Sequence, residues 1–252
     1  MSAPAATNGD AHDAEPPPAK RPLVESAPQP LAASLHPEPA PAAAADAPPL
    51  LPPLPPRGHR LSLPEGWLSC PPHGSLVANL LLPCKVPLGS RFDEVLCGPR
   101  AAARWGPRDA VAAASAGGRT VLAVVDLTKT KRYYSDKELP AGVRHFKLPC
   151  DGASGPPSPL DATVFCAFVA TELDRWRAAT SDTPPAQRKL PAIVVHCTHG
   201  FNRTGAMLVH FLMRRDRGWP DLPAALNDVA TARWPGIYKE SYIECAPRAF
   251  VP

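Results

Sequence analysis

Residues 193–205 read Ile193-Val-Val-His-Cys-Thr-His-Gly-Phe-Asn-Arg-Thr-Gly205, and this stretch decides the fold. The β-branched run at its start predicts a buried strand, and the apolar run Ala206–Met213 that follows predicts a buried helix. A loop between them can turn its backbone N–H groups inward at the helix N-terminus, where aligned amides and the helix dipole bind phosphate. The stretch therefore predicts a strand, a phosphate-binding loop and a helix in succession.

The loop also contains the elements of nucleophilic catalysis. Cys197 opens it, and Arg203 follows six positions later, directly before Thr204. Arg203 can hold phosphate oxygens in a planar bidentate clamp. The same positive field favours the thiolate of Cys197, which is the nucleophilic form of a cysteine. We interpret this pattern as phosphoryl transfer to sulfur followed by hydrolysis; the alternative is a buried, inert cysteine at the end of a strand.

The first sixty residues differ from the rest of the chain in composition. They contain 16 of the 36 prolines and no aromatic residue, so we expect residues 1–60 to form a disordered tail. Their four basic and six acidic residues give the tail a net charge of −2. Because the whole chain has a net charge of +4, residues 61–252 have a net charge of +6. We expect one folded domain over residues 61–252, with a moderate positive charge that suits a polyanionic substrate.

Several functional classes are disfavoured by composition. No apolar run approaches the roughly 20 residues that span a bilayer, and the N-terminus lacks the apolar core of a signal peptide. The seven cysteines are odd in number and show no paired metal-ligand spacing, so we expect a reduced, intracellular protein without a metal site. Ala19–Pro22 could belong to a nuclear import signal, although two basic residues in such a tail are more often solvated charge.

The remaining patterns alternate between strands and helices. Val121–Asp126 and Val143–Leu148 predict strands, and Arg91–Ala116 predicts alanine-rich helix interrupted at two Gly-Pro pairs. Ser158 and Asp161 predict the capped start of a helix that continues to about Ala178. Asp221 predicts the start of a further helix. Together these segments predict an α/β domain.

The segment His196–Gly205 resembles the signature of the cysteine-phosphatase RNA 5′-triphosphatases, the N-terminal domains of metazoan and plant mRNA-capping enzymes. Four further segments resemble that family in the same order, namely Trp67–Cys70, Leu82–Asp93, Val125–Tyr134 and Pro235–Lys239. The resemblance covers residues 64–243. It implies a central, mostly parallel, twisted sheet flanked by helices, as in protein tyrosine and dual-specificity phosphatases.

The resemblance implies removal of the γ-phosphate from 5′-triphosphate RNA, the first step of mRNA capping, through a phosphocysteine and without a metal or other cofactor. We expect Cys197 to be the nucleophile, Arg203 to hold the equatorial oxygens, and Thr204 to ease the departure of the sulfur. His196 should orient the loop and help to hold the thiolate. The substrate-binding residues expected in the loop are Thr198, His199, Gly200, Phe201 and Asn202.

Three further expectations concern residues outside the loop. Lys85 and Arg91 follow an apolar segment and, by the resemblance, lie near the mouth of the site, where they would contact RNA phosphates or form a solvated surface pair. Asp126, at the end of a predicted strand, is the residue we select as general acid, although structural anchoring explains it equally well. Asp151 and Asp161 are the other carboxylates considered, and Asp161 is better explained as a helix cap.

The resemblance also implies a nuclear protein that meets the 5′ end of nascent RNA, with RNA polymerase II and a guanylyltransferase as partners and no membrane. A guanylyltransferase needs a Lys-x-Asp-Gly motif, which is absent from this sequence, so the chain is a stand-alone triphosphatase or a fragment. Two alternatives stay open in the same chemical class: a broader RNA 5′-phosphatase and a dual-specificity protein phosphatase. A third is a module that binds phosphate without turnover.

Overall fold

A four-stranded parallel sheet lies at the centre of the structure, a computed structural model that describes residues 61–152, 155–215 and 221–245. The strands, in the spatial order β1-β4-β2-β3, are Leu81–Cys84 (β1), Thr120–Asp126 (β2), Arg144–Lys147 (β3) and Pro191–His196 (β4). The expected α/β class with a parallel sheet is confirmed. The tail predicted for residues 1–60 lies outside the described residues.

Helices cover both faces of this sheet. The α-helices are Pro107–Ala114 (α1), Pro159–Ala179 (α2), Asn202–Arg215 (α3), Leu222–Ala232 (α4) and Glu240–Cys245 (α5). One core combines β-strand side chains with residues of α2, α3 and α4, and a second core combines the opposite face with α1 and the buried Trp67. Because both faces are buried, the two central strands are apolar along nearly their whole length, as parallel strands usually are.

The capped helix start predicted at residue 158 is confirmed. The Ser158 hydroxyl accepts from the Asp161 amide at 3.1 Å, and the Asp161 carboxylate accepts from the Ser158 amide at 2.9 Å. This reciprocal pair satisfies two backbone donors that the first turn of a helix leaves open. Asp161 is therefore occupied in capping α2, while Phe165 and Val169 on the inner face of that helix are buried in the core.

The helix predicted between Arg91 and Ala116 is mostly wrong. Only Pro107–Ala114 is α-helical, and the residues before it form short 3-10 turns at Ser90–Phe92 and Gly98–Ala103. The two Gly-Pro pairs explain the difference, because proline donates no backbone hydrogen bond and fits only in the first turn of a helix. The alanines around them carry too little apolar surface to keep a longer helix packed on the sheet.

The strand register brings the chemistry-bearing residues to one edge of the sheet. His196 at the end of β4 pairs with Asp126 at the end of β2 and with Cys84 at the end of β1. Cys197 follows immediately, so the loop begins at the carboxyl edge, where sites form in open α/β sheets. Within the described ranges, no helix combines the length and apolar character that crossing a membrane requires.

Candidate active site

The loop between β4 and α3 curls around the sulfur of Cys197. The backbone N–H of Gly200 donates to this sulfur at 3.3 Å. Gly200 has φ +77°, and a Cβ at this position would collide with the backbone carbonyl of Cys84 on β1. Only glycine fits here without strain, because a side chain has neither a favourable backbone conformation nor space. The tight turn therefore depends on both the glycine and the neighbouring strand.

Arg203, in the first turn of α3, is held by three hydrogen bonds to the surroundings of the loop. Its Nη1 donates to the carbonyls of Leu127 at 3.2 Å and Cys150 at 3.1 Å, and its Nη2 donates to the hydroxyl of Thr198 at 2.9 Å. A Cβ at Gly152 would lie 2.8 Å from the guanidinium carbon. The absence of a side chain at residue 152 thus lets the guanidinium lie flat against the backbone at the edge of the site.

The environment of Cys197 favours its thiolate. Burial of the sulfur raises its pKa, but the Arg203 charge, the hydroxyl and amide of Thr204 and the Gly200 amide outweigh burial, so the net pKa is lowered. The Thr204 hydroxyl is fully buried and forms no hydrogen bond of good geometry with the described residues. It nevertheless lies close enough to the sulfur to help lower the pKa of Cys197. A buried thiolate of low pKa is the state that a cysteine nucleophile needs.

A cavity of about 340 Å³ opens above this sulfur. Its walls comprise the loop, Gly152 and three residues near the C-terminus of the described chain, and the complete lining is Gly152, Cys197, Thr198, His199, Phe201, Asn202, Arg203, Tyr238, Lys239 and Tyr242. The cavity combines a nucleophile, a guanidinium and the start of a helix in one place. This arrangement can bind a phosphate group and present it to the sulfur.

The other loop residues contribute through their backbone or by fixing neighbouring segments. The ring of His199 donates from Nε2 to the carbonyl of Glu65 at 2.7 Å, so it ties the loop to the start of the domain. Phe201 is buried, and its ring meets Tyr238 edge to face. The Asn202 carboxamide accepts from the backbone amides of Tyr238 and Lys239, both at 3.0 Å. The Asn202 side chain thus bonds the backbone of a distant segment rather than that of its own loop.

His196, at the end of β4, is fully buried. Its Nδ1 donates to the Cys197 carbonyl at 3.4 Å, and its Nε2 lies 2.8 Å from the Tyr134 hydroxyl. Burial lowers its pKa to about 4. The imidazole is therefore neutral at pH 7 and bonds the backbone at the start of the loop, but it has no charge with which to hold the thiolate.

The surroundings of Asp126 do not support its selection as general acid. Its carboxylate is buried, accepts from Lys147 at 2.7 Å, and also accepts from the amide and hydroxyl of Thr128. Burial raises the pKa of Asp126, but the neighbouring His196 and His145 and the bonds from Lys147 and Thr128 outweigh burial and hold it well below its usual range. A carboxylate that stays ionised has no proton to give to a leaving group, so Asp126 anchors the end of the strand.

The expected phosphate contact from Lys85 is also wrong. Lys85 is 3% exposed, and its ammonium donates to the carbonyls of Trp67 at 3.0 Å and Cys70 at 2.9 Å. The ammonium also lies 3.7 Å from the centre of the Trp67 ring. Burial lowers the pKa of Lys85 to about 8. Its role is to fasten the N-terminal segment of the domain to the end of β1.

Arg91 is exposed, as a phosphate contact requires, but it lines a different cavity from the one above Cys197. That second cavity lies beside the ends of β2 and β3 and includes Tyr134 and Lys147. A direct contact of Arg91 with the transferring phosphate is therefore not supported. No cluster of three or more His, Cys, Asp or Glu side chains suited to a metal ion occurs in the part of the chain that the structure describes.

Comparison with known proteins agrees with this geometry. No family model matches the chain. The mRNA-capping enzyme of Mus musculus is 33% identical over 183 residues, which is 72% of this chain and 28% of that enzyme. The RNA/RNP complex-1-interacting phosphatase of Rattus norvegicus is 29% identical over 183 residues, which is 72% of this chain and 51% of that protein. The chain belongs to the cysteine-phosphatase superfamily.

The relatives also set the extent of the likeness. The mRNA-capping enzyme of Caenorhabditis elegans is 31% identical over 188 residues, or 73% of this chain and 27% of that enzyme. This cysteine phosphatase thus spans less than a third of the length of the capping enzymes that it matches. The expected resemblance to mRNA-capping enzymes is confirmed. Among solved structures, PTPMT1 has a TM-score of 0.45 and 16% identity over 70% of this chain and 92% of that chain.

A second arginine of this phosphatase contacts the loop and was not predicted from the sequence. Arg233, just after α4, is 3% exposed. It donates from Nε to the carbonyl of Gly200 and from Nη2 to the carbonyls of His199 and Pro71, all at 2.9 Å. Its guanidinium also lies 4.7 Å from the centre of the Phe201 ring. By binding the carbonyls of His199 and Gly200, Arg233 favours the inward orientation of the loop amides.

Four cavity residues were also missed, namely Gly152, Tyr238, Lys239 and Tyr242. A signal for two of them existed, because the segment Pro235–Lys239 resembles the family, but the segment alone does not say which way its side chains point. Tyr242 is 2% exposed and donates to the Gly155 carbonyl at 2.7 Å. Tyr238 is 56% exposed. The sequence did not predict that Tyr238 and Tyr242 would form an aromatic wall of the site.

Proposed function

We propose that this phosphatase hydrolyses the γ-phosphate of 5′-triphosphate RNA and leaves a 5′-diphosphate end. The observation that carries the proposal is the placement of Cys197, Arg203 and the start of α3 around one cavity of about 340 Å³, where the pKa of Cys197 is lowered. The RNA substrate is supported by the similarity to mRNA-capping enzymes and to an RNA/RNP complex-1-interacting phosphatase. A nuclear location and contact with RNA polymerase II and a guanylyltransferase would follow from this function.

The proposed mechanism has two displacement steps. The Cys197 thiolate attacks the γ-phosphorus, a sulfur–phosphorus bond forms, and the bond to the β-bridging oxygen breaks with that electron pair going to the RNA diphosphate. Water then attacks the phosphocysteine, inorganic phosphate leaves, and the sulfur recovers its electron pair beside Thr204. Arg203 and the loop amides of residues 198–203 would bind the charge on the equatorial oxygens in both steps.

The first step needs little help from a general acid. A diphosphate end is a weak base, so it can leave without a proton. This suits a site in which Asp126 stays ionised and Asp161 caps α2. Asp151 is the remaining carboxylate considered, and it forms an ion pair with Lys129 at 2.9 Å. We propose that catalysis proceeds without a metal, because the loop amides and Arg203 already supply a positive field.

A specific observation also supports a second candidate, a dual-specificity protein phosphatase. Phe201, Tyr238 and Tyr242 line the cavity, and aromatic walls suit the ring of a phosphotyrosine. The test compares γ-labelled and α-labelled triphosphate RNA with a phosphotyrosine peptide and resolves mono-, di- and triphosphate ends over time. We expect diphosphate ends and release of the γ-label, undiminished by excess EDTA, with much higher kcat/KM than on the peptide.

Other products would decide between the alternatives. Accumulation of monophosphate ends would favour the broader RNA 5′-phosphatase, and preference for the peptide would overturn the RNA proposal. The Cys197→Ser variant serves as the control, because a serine hydroxyl is not ionised at neutral pH and should leave almost no activity. Retention of a tenth of the wild-type rate by this variant would contradict a phosphocysteine. Loss of activity in EDTA with recovery in Mg²⁺ or Mn²⁺ would contradict a metal-independent route.

A further inference from the structure

One wall of the catalytic cavity comes from the segment between α4 and α5, far from the phosphate loop in sequence. Tyr238 and Lys239 of this segment face the cavity together with Cys197 and Arg203. The Asn202 carboxamide accepts from the amides of both residues at 3.0 Å. Asn202 is the first residue of α3. The wall is therefore fixed to the same helix end that forms the phosphate site.

The two tyrosines of this wall, Tyr238 and Tyr242, differ in how much of the side chain is exposed. Tyr242 is 2% exposed and its hydroxyl is engaged with the Gly155 carbonyl, as expected of a structural residue. Tyr238 is 56% exposed although its ring contacts Phe201, with the ring centres 6.1 Å apart and an interplanar angle of 62°. The contact holds the ring in place while more than half of its surface stays open beside the cavity.

We propose that Tyr238 is a stacking platform for the first nucleobase of the RNA 5′ end, with Lys239 beside it contacting the phosphates that are not transferred. This inference rests on the proposed function. An aromatic ring with an open surface stacks on any base, because every base has a π-face, and so it needs no sequence preference. That tolerance suits an enzyme that must accept the start of many different transcripts.

The position of Tyr238 favours a nucleobase over a phosphotyrosine ring. In a phosphotyrosine the ring is bonded directly to the transferred phosphate, whereas two phosphates and a sugar separate a nucleobase from the γ-phosphate. Tyr242 is buried in the wall of the cavity, whereas Tyr238 is 56% exposed and presents an open ring surface to a group outside the cavity. Lys239 adds positive charge next to Tyr238. The phosphates of a triphosphate end that are not transferred can bind this ammonium, whereas a phosphotyrosine side chain carries no phosphate besides the transferred one.

The test uses the full chain and compares two substrates that share the phosphates but not the base. These are inorganic tripolyphosphate and a short 5′-triphosphate RNA, with a phosphotyrosine peptide in parallel. The variants are Tyr238→Ala, Tyr238→Trp and Lys239→Ala. Trp234→Ala is the matched control, because Trp234 is an exposed aromatic residue near this segment, 81% exposed, that does not line the cavity.

We expect Tyr238→Ala to raise the KM for RNA by roughly 5- to 100-fold, the range that loss of one base–aromatic stack gives. Tripolyphosphate has no base, so the preference for RNA over tripolyphosphate should fall by the same factor. Tyr238→Trp should restore that preference, because indole stacks as well as phenol. Lys239→Ala should weaken the binding of both RNA and tripolyphosphate. Trp234→Ala should leave the preference for RNA over tripolyphosphate unchanged.

Three results would overturn the inference. Equal losses on RNA and tripolyphosphate in Tyr238→Ala would show that the ring only supports the loop, and an unchanged KM for RNA would show that it touches no base. A larger loss on the peptide than on RNA would assign the ring to phosphotyrosine. These outcomes differ from failure of the proposed function, which would appear as the absence of γ-phosphate release by the wild-type enzyme and would remove this inference with it.

Discussion

The Nε of Arg233 donates to the carbonyl of Gly200 at 2.9 Å, across 33 positions of sequence. Arg233 is not among the residues that line the cavity. Its bond to Gly200 is paired with a second bond from the same guanidinium to the His199 carbonyl. Two consecutive loop carbonyls are thus directed outward, and a peptide whose carbonyl points outward presents its N–H to the cavity. Arg233 therefore positions the loop, whereas Arg203 lies in the cavity itself.

The first prediction tests this positioning role. Arg233→Lys keeps the charge but loses the planar fork, so we expect kcat to fall by about 10²-fold, the order expected when a catalytic group is displaced by about 1 Å. Steady-state kinetics on triphosphate RNA give the change. Arg177→Lys is the control, since Arg177 is an exposed arginine on α2 paired with Asp174. A lysine variant with wild-type kcat would show that the fork is not needed.

The second prediction concerns the turn of the loop. Gly200→Ala places a Cβ against the Cys84 carbonyl at a residue with φ +77°, so we expect loss of activity and a destabilisation of more than about 2 kcal/mol. Denaturant unfolding measures the second effect. Gly98→Ala is the matched control, because Gly98 has φ +56° with no atom within 4 Å of a Cβ, and it should cost only about 1 kcal/mol. Similar losses in both variants would contradict a role for the Cys84 contact.

The third prediction separates anchoring from acid catalysis at residue 126. Asp126→Asn leaves Lys147 without its buried partner, so we expect a loss of about 1–3 kcal/mol in the free energy of unfolding. We expect kcat/KM to fall less than about tenfold, because removal of a general acid would cost about 10²–10⁴-fold. Thermal unfolding and pH–rate profiles provide both values. A fall of a thousandfold at unchanged stability would restore Asp126 as the acid.

The fourth prediction concerns the ionisation of Cys197. Its pKa is lowered, so the reactive thiolate should appear as pH rises through a midpoint below that of an ordinary thiol. The pH dependence of inactivation by iodoacetamide, with and without protecting phosphate, measures that midpoint. Thr204→Val should raise it, because the hydroxyl helps to stabilise the thiolate.

A matched threonine controls this comparison. Thr171 on α2 is exposed, and its hydroxyl donates to the Ala167 carbonyl of the same helix at 2.9 Å. Thr171→Val should leave the midpoint of Cys197 unchanged. A wild-type midpoint at or above that of an ordinary thiol would show that Arg203 and the loop amides do not offset the burial of the sulfur.

The order of elements and the phosphate loop were determined by sequence alone. The strands β2 and β4 are apolar along nearly their whole length, and α2 begins at a capping box, because burial on both faces and helix capping act on neighbouring residues. The same holds for the loop, whose cysteine, glycine and arginine lie within seven consecutive positions. Such local patterns can be interpreted without knowing where the chain goes next.

The tertiary structure decided the ionisation and the role of the residues outside the loop. The charge of Asp126 depends on Lys147, 21 positions away, and the burial of Lys85 depends on Trp67, 18 positions away. The bonds of Asn202 to Tyr238 and Lys239 span 36 and 37 positions. A pKa is set by burial and by charges within a few ångströms, and packing brings such groups together from segments whose spacing in sequence carries no information about their distance.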